Sequence, residues 1–264
     1  MILDKIAEAT RQRVREKKLK LPLDELVLIR NNMGKEGYHE RENFAFENAL
    51  KINNFSLICE VKKASPSKGI INEEFPYLDI ALEYQKAGAT AISVLTEPKY
   101  FQGSNKYLRE ISKNVSIPVL RKDFIIDEYQ IYEAKMIGSD AVLLICALLS
   151  DETLEYFIKL CYRMGMSSLV EAHSKKEVEK AIKAGARIIG VNNRNLKTFD
   201  VDINNCIELR SGVPDDIIFV AESGITNSDD IKLLKKNNIN SVLIGEALMK
   251  SKNIEKQIRE WRSL

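Results

Sequence analysis

The sequence is poor in the residues that build metal and disulfide sites. Its 264 residues include four cysteines, none in a CxxC spacing, and two histidines, His39 and His173. A structural zinc site takes four such ligands at short spacings, so these counts argue against one. We therefore expect the cysteines to be reduced core residues of a cytoplasmic protein that holds no metal.

Long apolar runs and an excess of charge of one sign are also lacking. The longest uncharged apolar run, from Ala141 to Leu149, is far shorter than the about 20 residues of a membrane-spanning helix. The N-terminal residues lack the apolar core of a signal peptide. With 40 basic and 38 acidic residues the net charge is +2, which provides no electrostatic basis for binding nucleic acid. We expect neither a membrane nor a nucleic-acid partner.

What the sequence does contain is a weak internal repeat of a helical pattern, a small turn and a short apolar run. Four of the turns carry a residue suited to the left-handed conformation that ends helices: Gly88, Gly138, Gly185 and Asn238. The apolar runs are continuous rather than alternating, which is typical of strands buried on both faces of a parallel sheet.

Counting these runs predicts eight strands, spaced by roughly 20–35 residues, the length of one strand–helix unit. They begin near Leu57, Thr90, Ile117, Asp140, Ser168, Arg187, Ile217 and Ser241. Eight βα units predict an α/β fold, a (β/α)8 TIM barrel, as one domain over residues 1–264. An open doubly wound sheet is the alternative, but no GxGxxG motif follows the first strand.

Residues 1–50 precede the first strand and are predicted to form an N-terminal helical extension, with Ile2, Leu3, Ile6 and Val14 on one apolar face. Its basic residues are Arg11, Arg13, Arg15, Lys17 and Lys18. We interpret them as a solvated helix face, with contact to a phosphate or a partner as the alternative. Later helices carry start signals: a capping box at Ser174-Lys-Lys-Glu177 and related N-termini at Asp127 and Ser150.

Polar residues stand at the ends of most predicted strands. Glu60 and Lys62 are two residues apart and so point to the same side of the first strand, and Asn192 and Arg194 repeat this spacing. Charges in a buried strand are costly unless paired or functional, so a simple ion pair is the alternative. Six of the eight strands end in Lys, Glu, Asn or Arg. Barrel enzymes carry their catalytic groups at these ends.

Gly224 and Gly245 follow the last two strands, where barrels bind phosphate through backbone N–H groups. The alternative is that both glycines only make tight turns. Phosphate at one end, with lysines, carboxylates and aromatic residues opposite, suits a phosphorylated sugar that bears an aromatic group. Such a site can hold one lysine protonated as a general acid beside a glutamate base, without a cofactor.

At these residues the chain resembles the indole-3-glycerol phosphate synthase family over nearly its whole length. The motifs that carry the resemblance are Glu60-x-Lys62-x-x-Ser65-Pro66-Ser67, Leu95-Thr96-Glu97, Tyr100-Phe101-x-Gly103-Ser104, Arg121-Lys122-Asp123-Phe124, Val170-Glu171, Asn192-x-Arg194, Ala221-Glu222-Ser223-Gly224-Ile225 and Ile244-Gly245. The resemblance implies a barrel whose N-terminal helices cover the mouth. It also implies closure of 1-(2-carboxyphenylamino)-1-deoxyribulose 5-phosphate to indole-3-glycerol phosphate, with loss of carbon dioxide and water and with no cofactor.

The resemblance also implies a role for individual residues. Lys122 corresponds to the general acid of ring closure, Glu171 to the acid/base group of dehydration, and Lys62 to a substrate-holding group and second acid. Glu60 and Asn192 complete the catalytic set by orienting the substrate and the lysines. The substrate-binding positions are Ser65, Phe101, Arg194, Glu222, Ser223, Gly224, Leu243 and Gly245.

One departure from the family pattern is Glu246, where some members have a serine beside the phosphate. A carboxylate cannot donate to phosphate, so we expect this side chain to turn away. Two other functions remain open: an isomerase of another phosphorylated sugar, and an inactive barrel that only binds a ligand or assembles. Which of Lys62 and Lys122 protonates the leaving hydroxyl is also open. We expect a monomer or a weak homo-oligomer.

Overall fold

The computed structural model of the chain describes residues 2–32, 41–52, 55–195 and 198–264, so His39 lies outside the described residues. Eight strands form the barrel: β1 (Ser56–Val61), β4 (Ala91–Leu95), β5 (Val119–Lys122), β6 (Ala141–Ile145), β7 (Ser167–Ala172), β8 (Ile188–Asn192), β9 (Ile218–Glu222) and β10 (Ser241–Ile244). A short antiparallel hairpin, β2 (Ala64–Ser65) and β3 (Gly69–Ile70), follows β1.

Three helices precede the barrel and nine alternate with or follow its strands in the described residues. They are α1 (Ile2–Lys20), α2 (Leu23–Asn32), α3 (Ala45–Ile52), α4 (Tyr77–Ala87), α5 (Asn105–Asn114), α6 (Glu128–Met136), α7 (Asp151–Arg163), α8 (Lys175–Lys183), α9 (Asn204–Arg210), α10 (Ser228–Lys236), α11 (Glu246–Met249) and α12 (Ile254–Ser263). No helix of the described ranges is both long and apolar enough to cross a membrane.

The barrel closes because the first strand pairs with the last. The order around it is β1-β10-β9-β8-β7-β6-β5-β4, with every pair parallel and Ser56 in register with Ser241. Closure confirms the predicted (β/α)8 barrel and excludes the open sheet. All eight strands begin within two residues of the predicted positions. The predicted turn residues are left-handed, with φ between 58° at Asn238 and 97° at Gly88.

The core consists of two apolar layers. The larger one lies between the strands and the surrounding helices, and a smaller one fills the barrel interior. Helix α3 closes the interior at the N-terminal ends of the strands, where Phe46 and Leu50 join the interior layer. Ser56 Oγ donates to the Leu50 carbonyl at 3.1 Å, which fixes the end of α3 to the start of β1. The extension therefore covers the bottom of the barrel as well as its mouth.

Helix α1 is bound to the opposite end of the barrel by ion pairs. Arg13 Nη2 lies 2.7 Å from Asp123 Oδ1, Lys18 Nζ lies 2.7 Å from Asp127 Oδ2, and Lys17 pairs with Glu133. The expectation of a solvated basic face is therefore wrong for these three residues, because the partners come from the segment that follows strand β5 and from helix α6, about a hundred positions away. The remaining two, Arg11 and Arg15, are exposed as expected.

The helix-start signals are confirmed with one correction. Asp127, Ser150 and Ser174 each accept a hydrogen bond from a backbone N–H of the first turn. The capping box predicted at Ser174 is half formed, because the Glu177 carboxylate accepts from the N–H of His173 instead of Ser174. A complete capping box joins Asn227 and Asp230 at the start of α10. All four cysteines are buried and free, as predicted.

Candidate active site

One cavity of about 880 Å³ lies at the C-terminal end of the barrel, under the first turns of α1. Ile2, Leu3 and Ile6 of α1 line it on one side. Every residue predicted for the site lines it as well: Glu60, Lys62, Ser65, Phe101, Lys122, Glu171, Asn192, Arg194, Glu222, Ser223, Gly224, Leu243 and Gly245. The predicted residues come from seven of the eight barrel strands and their loops, and Leu143 and Ile145 of β6 complete the lining.

Lys122 is the centre of a buried charge cluster. Its Nζ lies 2.5 Å from Glu222 Oε2 and 3.3 Å from Glu171 Oε2, and only 13% of the side chain is exposed. The three side chains point inward from β5, β7 and β9, alternate strands of the barrel, which bring their inward-facing residues to the same level. The ammonium is thus held between two carboxylates before any substrate is bound.

The cluster keeps its members in different protonation states. Burial opposes the charge on Lys122, but the carboxylates of Glu222 and Glu171 outweigh burial and raise the pKa of the lysine. Burial also opposes ionisation of Glu171, yet Lys122 and His173 together lower its pKa. Burial raises the pKa of Glu222 to about 7, because the attraction of Lys122 does not fully offset burial and the repulsion from Glu171. At neutral pH, Lys122 is charged, Glu171 is ionised and Glu222 is partly protonated.

Two glycines make room for the carboxylates, a function that sequence reasoning did not assign. A Cβ atom at Gly190 of β8 would overlap Glu222 Oε1, and one at Gly245 would overlap Glu60 Oε1. Glu222 Oε1 is buried and has no hydrogen-bond partner among the described residues. That oxygen packs against the bare backbone of Gly190, which only a glycine allows. The role of Gly190 could have been found only by comparing the inward-facing residues of β8 with those of β9, since nothing in the sequence around Gly190 is unusual.

Lys62 and Glu60 form the second ion pair of the cavity. Lys62 Nζ donates to Glu60 Oε1 at 2.6 Å, so the two side chains share a face as the spacing predicted. Lys62 is 16% exposed and Glu60 6%. Asn192 and Arg194, at the end of β8, have the same two-residue spacing, but here the contact is to the backbone. Asn192 Oδ1 accepts the backbone N–H of Arg194 at 3.0 Å, which fixes the turn after the strand.

Aromatic side chains form one wall of the cavity. The rings of Phe101 and Phe124 are 5.9 Å apart between centroids and tilted by 37°. Sequence reasoning singled out Phe101, but it did not assign Phe124 to the site. Buried Glu97 holds the loop, because its carboxylate accepts the backbone N–H groups of Lys99, Tyr100 and Phe101. The wall is therefore rigid and suited to stacking a flat ring.

The loop after β9 has the backbone shape expected of an anion site. Ser223 and Gly224 are both left-handed, with φ of 64° and 84°. Asn193 Nδ2 donates to the Ser223 carbonyl at 3.0 Å and so fixes the loop from the neighbouring strand. The loop is thus a constrained turn whose backbone faces the cavity beside Gly245.

Glu246, the one departure from the family pattern, lies among cations of the cavity. The carboxylate lies 2.7 Å from Lys250 Nζ, 3.8 Å from Arg194 Nη2 and 3.9 Å from Lys68 Nζ. All four residues line the cavity. The nearest cation, Lys250, lies one turn further along the chain, whereas Lys68 and Arg194 come from other loops. The orientation of this carboxylate relative to a bound phosphate stays a prediction.

A network of charges next to Lys122 fixes the end of β5. Asp123 is fully buried and accepts from Arg13, Arg121, Thr96 and its neighbour Phe124. Arg121 is 1% exposed and also reaches Glu133 at 2.9 Å. The network attaches helix α1 to the residue that follows Lys122. It leaves Lys122 little freedom to move.

Within the described ranges, no group of three histidine, cysteine, aspartate or glutamate side chains is placed to hold a metal ion. The residues gathered in the cavity are those of acid–base chemistry and anion binding: lysines, carboxylates, an arginine and backbone N–H groups.

Solved structures share this architecture at low sequence identity. A 3-hexulose-6-phosphate synthase matches with a TM-score of 0.62 at 15% identity, covering 79% of this chain and 99% of that one. A thiamine phosphate pyrophosphorylase from Pyrococcus furiosus matches with a TM-score of 0.58 at 19% identity, covering 80% and 95%. At these identities the matches support the fold alone.

Sequence comparison is much more specific. The family model described as indole-3-glycerol phosphate synthase matches residues 3–261. An indole-3-glycerol phosphate synthase of Ruminiclostridium cellulolyticum is 56% identical over 251 residues, covering 95% of both chains. One of Endomicrobium trichonymphae is 56% identical over 265 residues, covering 98% of this chain and 99% of that one. With this coverage and the geometry of the cavity, the chain belongs to the indole-3-glycerol phosphate synthase family.

Proposed function

We propose that the chain closes 1-(2-carboxyphenylamino)-1-deoxyribulose 5-phosphate to indole-3-glycerol phosphate, releasing carbon dioxide and water, with Lys122 and Glu171 as the acid and base. The observation that carries the assignment of roles is the buried contact of Lys122 with Glu171 and Glu222 inside the one cavity that all the predicted residues line. The reaction uses no cofactor.

Ring closure is assigned to Lys122. Attack of the aromatic ring on the ketone develops negative charge on the carbonyl oxygen, and a charged ammonium stabilises it where it forms. The raised pKa of Lys122 ensures that the ammonium is present at neutral pH. The developing alkoxide is a strong enough base to take the proton. Glu222, 2.5 Å away, positions the ammonium.

Decarboxylation follows from the way the substrate is held. The anthranilate ring lies against Phe101 and Phe124, and its carboxylate is bound by Lys62 or Arg194. Loss of the carboxylate restores the aromatic ring, and so the protein has only to hold the geometry and limit water. The apolar residues of α1 that line the cavity support this exclusion of water.

Dehydration is assigned to Glu171 as the base. Its lowered pKa keeps the carboxylate ionised, so it can remove the proton from carbon. Lys62 or Lys122 protonates the leaving hydroxyl. Glu60 positions Lys62 by accepting a hydrogen bond from its Nζ at 2.6 Å, and Asn192 keeps the turn after β8 in place.

The phosphate is assigned to the backbone of Ser223, Gly224 and Gly245, with Ser65 and Leu243 completing the pocket. Gly224 is left-handed, and this conformation strains any other residue. Lys68, Arg194 and Lys250 supply positive charge to that end of the cavity.

The decisive experiment mixes the purified protein with the anthranilate-derived substrate and follows the appearance of indole fluorescence. We expect the signal with wild type and its loss in Lys122→Ala. Absence of the signal from folded wild type would reject the activity. Formation of an isomerised sugar without an indole would favour the isomerase, and binding without any reaction would favour an inactive barrel.

The remaining expectations concern the state of the protein. We propose that it acts in the cytoplasm as one barrel domain, with residues 1–50 as its helical extension, and as a monomer or weak homo-oligomer. Its net charge of +2 supports no role in binding nucleic acid. Light scattering of the purified chain tests the oligomeric state.

A further inference from the structure

His173 lies directly behind the proposed base, on the side away from Lys122. Its Nε2 is 3.4 Å from Glu171 Oε1, whereas the other oxygen of Glu171, Oε2, is 3.3 Å from Lys122 Nζ. Its Nδ1 is 3.2 Å from Glu177 Oε2. Four ionisable groups thus form a row that starts at Lys122, which also contacts Glu222: Lys122, Glu171, His173 and Glu177. None of the roles assigned above uses the last two.

The row leads out of the barrel. Glu177 stands in the first turn of α8 and is held there by the His173 N–H, which donates to its carboxylate at 2.8 Å. Its side chain is 24% exposed. Glu177 and His173 line a second cavity of about 650 Å³ with Asn192, Arg194, Asp200 and Asp202. A substrate filling the first cavity would cover Lys122, while the far end of the row would still reach solvent through the second.

The proposed reaction requires a proton from solvent. Ring closure forms a carbon–carbon bond and places one proton on the carbonyl oxygen. Decarboxylation breaks the bond to the ionised carboxyl group and returns its electron pair to the ring, so no proton is taken up or released. Dehydration removes one proton from carbon and gives another to the leaving hydroxyl. Two protons are donated and one is recovered, and each turnover therefore consumes one.

We propose that Glu177 and His173 form the path by which this proton enters, passing it through Glu171 to Lys122. This inference rests on the proposed function. After Lys122 has given up its proton, His173 Nε2 passes its proton to the Glu171 carboxylate, which hands one on to the neutral amine and is ionised again. His173 Nδ1 takes a proton that Glu177 delivers from solvent, and the neutral ring then tautomerises so that Nε2 carries the proton for the next turnover. Each step breaks one bond to hydrogen and forms another, with no change in oxidation state.

The state of the imidazole supports this path. Burial opposes its charge, but the hydrogen bond with Glu177 and the charge of Glu171 outweigh burial and raise the pKa of His173. The other charged groups that face it are Glu222 across the barrel and Arg194, Asp200 and Asp202 around the second cavity. Nε2 is buried and faces Glu171 Oε1 at 3.4 Å without hydrogen-bond geometry, so proton transfer requires a small rotation of the imidazole. A buried ring nitrogen is rarely left so unless it has a function.

The first test is rescue by a diffusible proton carrier. In His173→Ala we expect kcat to fall at least about tenfold, less than the 10²–10⁴-fold typical of a direct acid, with KM little changed. Added imidazole should restore kcat with saturation, because the truncated side chain leaves space in the second cavity. His173→Gln keeps the size and polarity of the side chain but cannot relay a proton, and should show the same loss. A kcat within twofold of wild type in both variants would overturn the proposal, as would a loss that imidazole does not restore.

Glu177→Gln tests the outer end of the row. The amide can still accept from the His173 N–H, so the fold should survive, while kcat should fall and its dependence on buffer concentration should increase. Glu179→Gln is the matched control, because Glu179 is exposed on the same helix and lies outside both cavities. Equal kcat values for the two variants would overturn the role of Glu177.

A readout independent of turnover separates this inference from the proposed function. The chain has two histidines, so their ring signals can be assigned by comparing wild type with His173→Gln in a nuclear magnetic resonance titration. We expect the pKa of His173 to fall in Glu171→Gln, since a facing negative charge is removed. An unchanged titration would overturn the contact even if the enzyme were active. A wild type that forms no indole but shows the coupled titration would reject only the proposed function.

Discussion

The two sides of the cavity handle charge differently. On one side, which we call the acid–base side, Lys122 is shared by two buried carboxylates, Glu171 and Glu222. On the other, the anion side, Lys62 has a single carboxylate partner and the cations Lys68, Arg194 and Lys250 gather around Glu246. An excess of carboxylates shifts pKa values and suits proton transfer, whereas an excess of cations suits binding. The difference separates the groups that react from the groups that hold.

The largest effect should come from removing the lysine of the acid–base side. Lys122→Ala should lower kcat by about 10²–10⁴-fold, because no neighbouring group can supply the same proton. It should affect KM much less, since phosphate binding belongs to the anion side. Lys113→Ala, on the exposed face of α5, is the control. A variant that kept more than half of the wild-type kcat would remove Lys122 from the catalytic role.

Glu171→Gln should come next, with kcat reduced by roughly 10²-fold and near-normal substrate binding. The substitution also removes a negative charge that faces Glu222. The pKa of Glu222, about 7 in the wild type, should therefore fall, and any inflection it causes in kcat/KM should move to lower pH. Steady-state kinetics between pH 5 and 9 check both effects. Full activity with a lowered melting temperature would mean that Glu171 is only a structural ion-pair partner.

Glu222 makes the stability of the acid–base side dependent on pH. Its pKa is raised from 4.5 to about 7, so the folded protein binds its proton more tightly than the unfolded chain does. The resulting stabilisation is fully present below pH 4.5 and is lost as pH rises through about 7. In the wild type the free energy of unfolding should fall by on the order of 3 kcal/mol over this pH range. In Glu222→Gln this fall should be absent from thermal melts. Parallel melting curves for the two proteins across this range would contradict the assignment.

A matched pair of glycine substitutions compares the two sides directly. Gly190→Ala would displace Glu222 on the acid–base side, and Gly245→Ala would displace Glu60 on the anion side. We expect kcat to fall by about tenfold in the first with KM preserved. The second should raise KM, because Gly245 also contributes to the phosphate pocket. Identical effects of both substitutions on kcat and KM would show that the two sides do not act separately.

The smallest effect is expected at Glu246. Glu246→Ser should release Lys68 and Arg194 from a competing carboxylate and lower KM by about two- to fivefold, in line with the small energies of exposed ion pairs. Glu42→Ser, far from the cavity, serves as the control for a loss of one negative charge. A higher KM in Glu246→Ser would mean that the carboxylate assists binding by orienting the cations.

The sequence predicted the fold and a set of residues that all line one cavity, because both follow from local patterns. Strand starts follow from apolar runs that end at turns, and the shared face of Glu60 and Lys62 follows from the strand period. The environment of Arg13 could not be predicted, because Asp123 follows a strand that nothing in the first helix specifies. The need for Gly190 and the protonation of Glu222 depend likewise on side chains that meet across the barrel interior.

The attachment of α1 has a consequence for the order in which the chain folds. Arg13 precedes its partner Asp123 by 110 positions, and Lys17 precedes Glu133 by 116. At synthesis rates of about 5–20 residues per second, α1 leaves the ribosome roughly 5–20 s before its partners exist. During that time the apolar face of α1 lacks the barrel residues against which it packs, such as Tyr129 beside Val14. The helix that covers the active site is made first but can dock only after β5 and α6 have been made, so part of its apolar face stays exposed in the nascent chain until then.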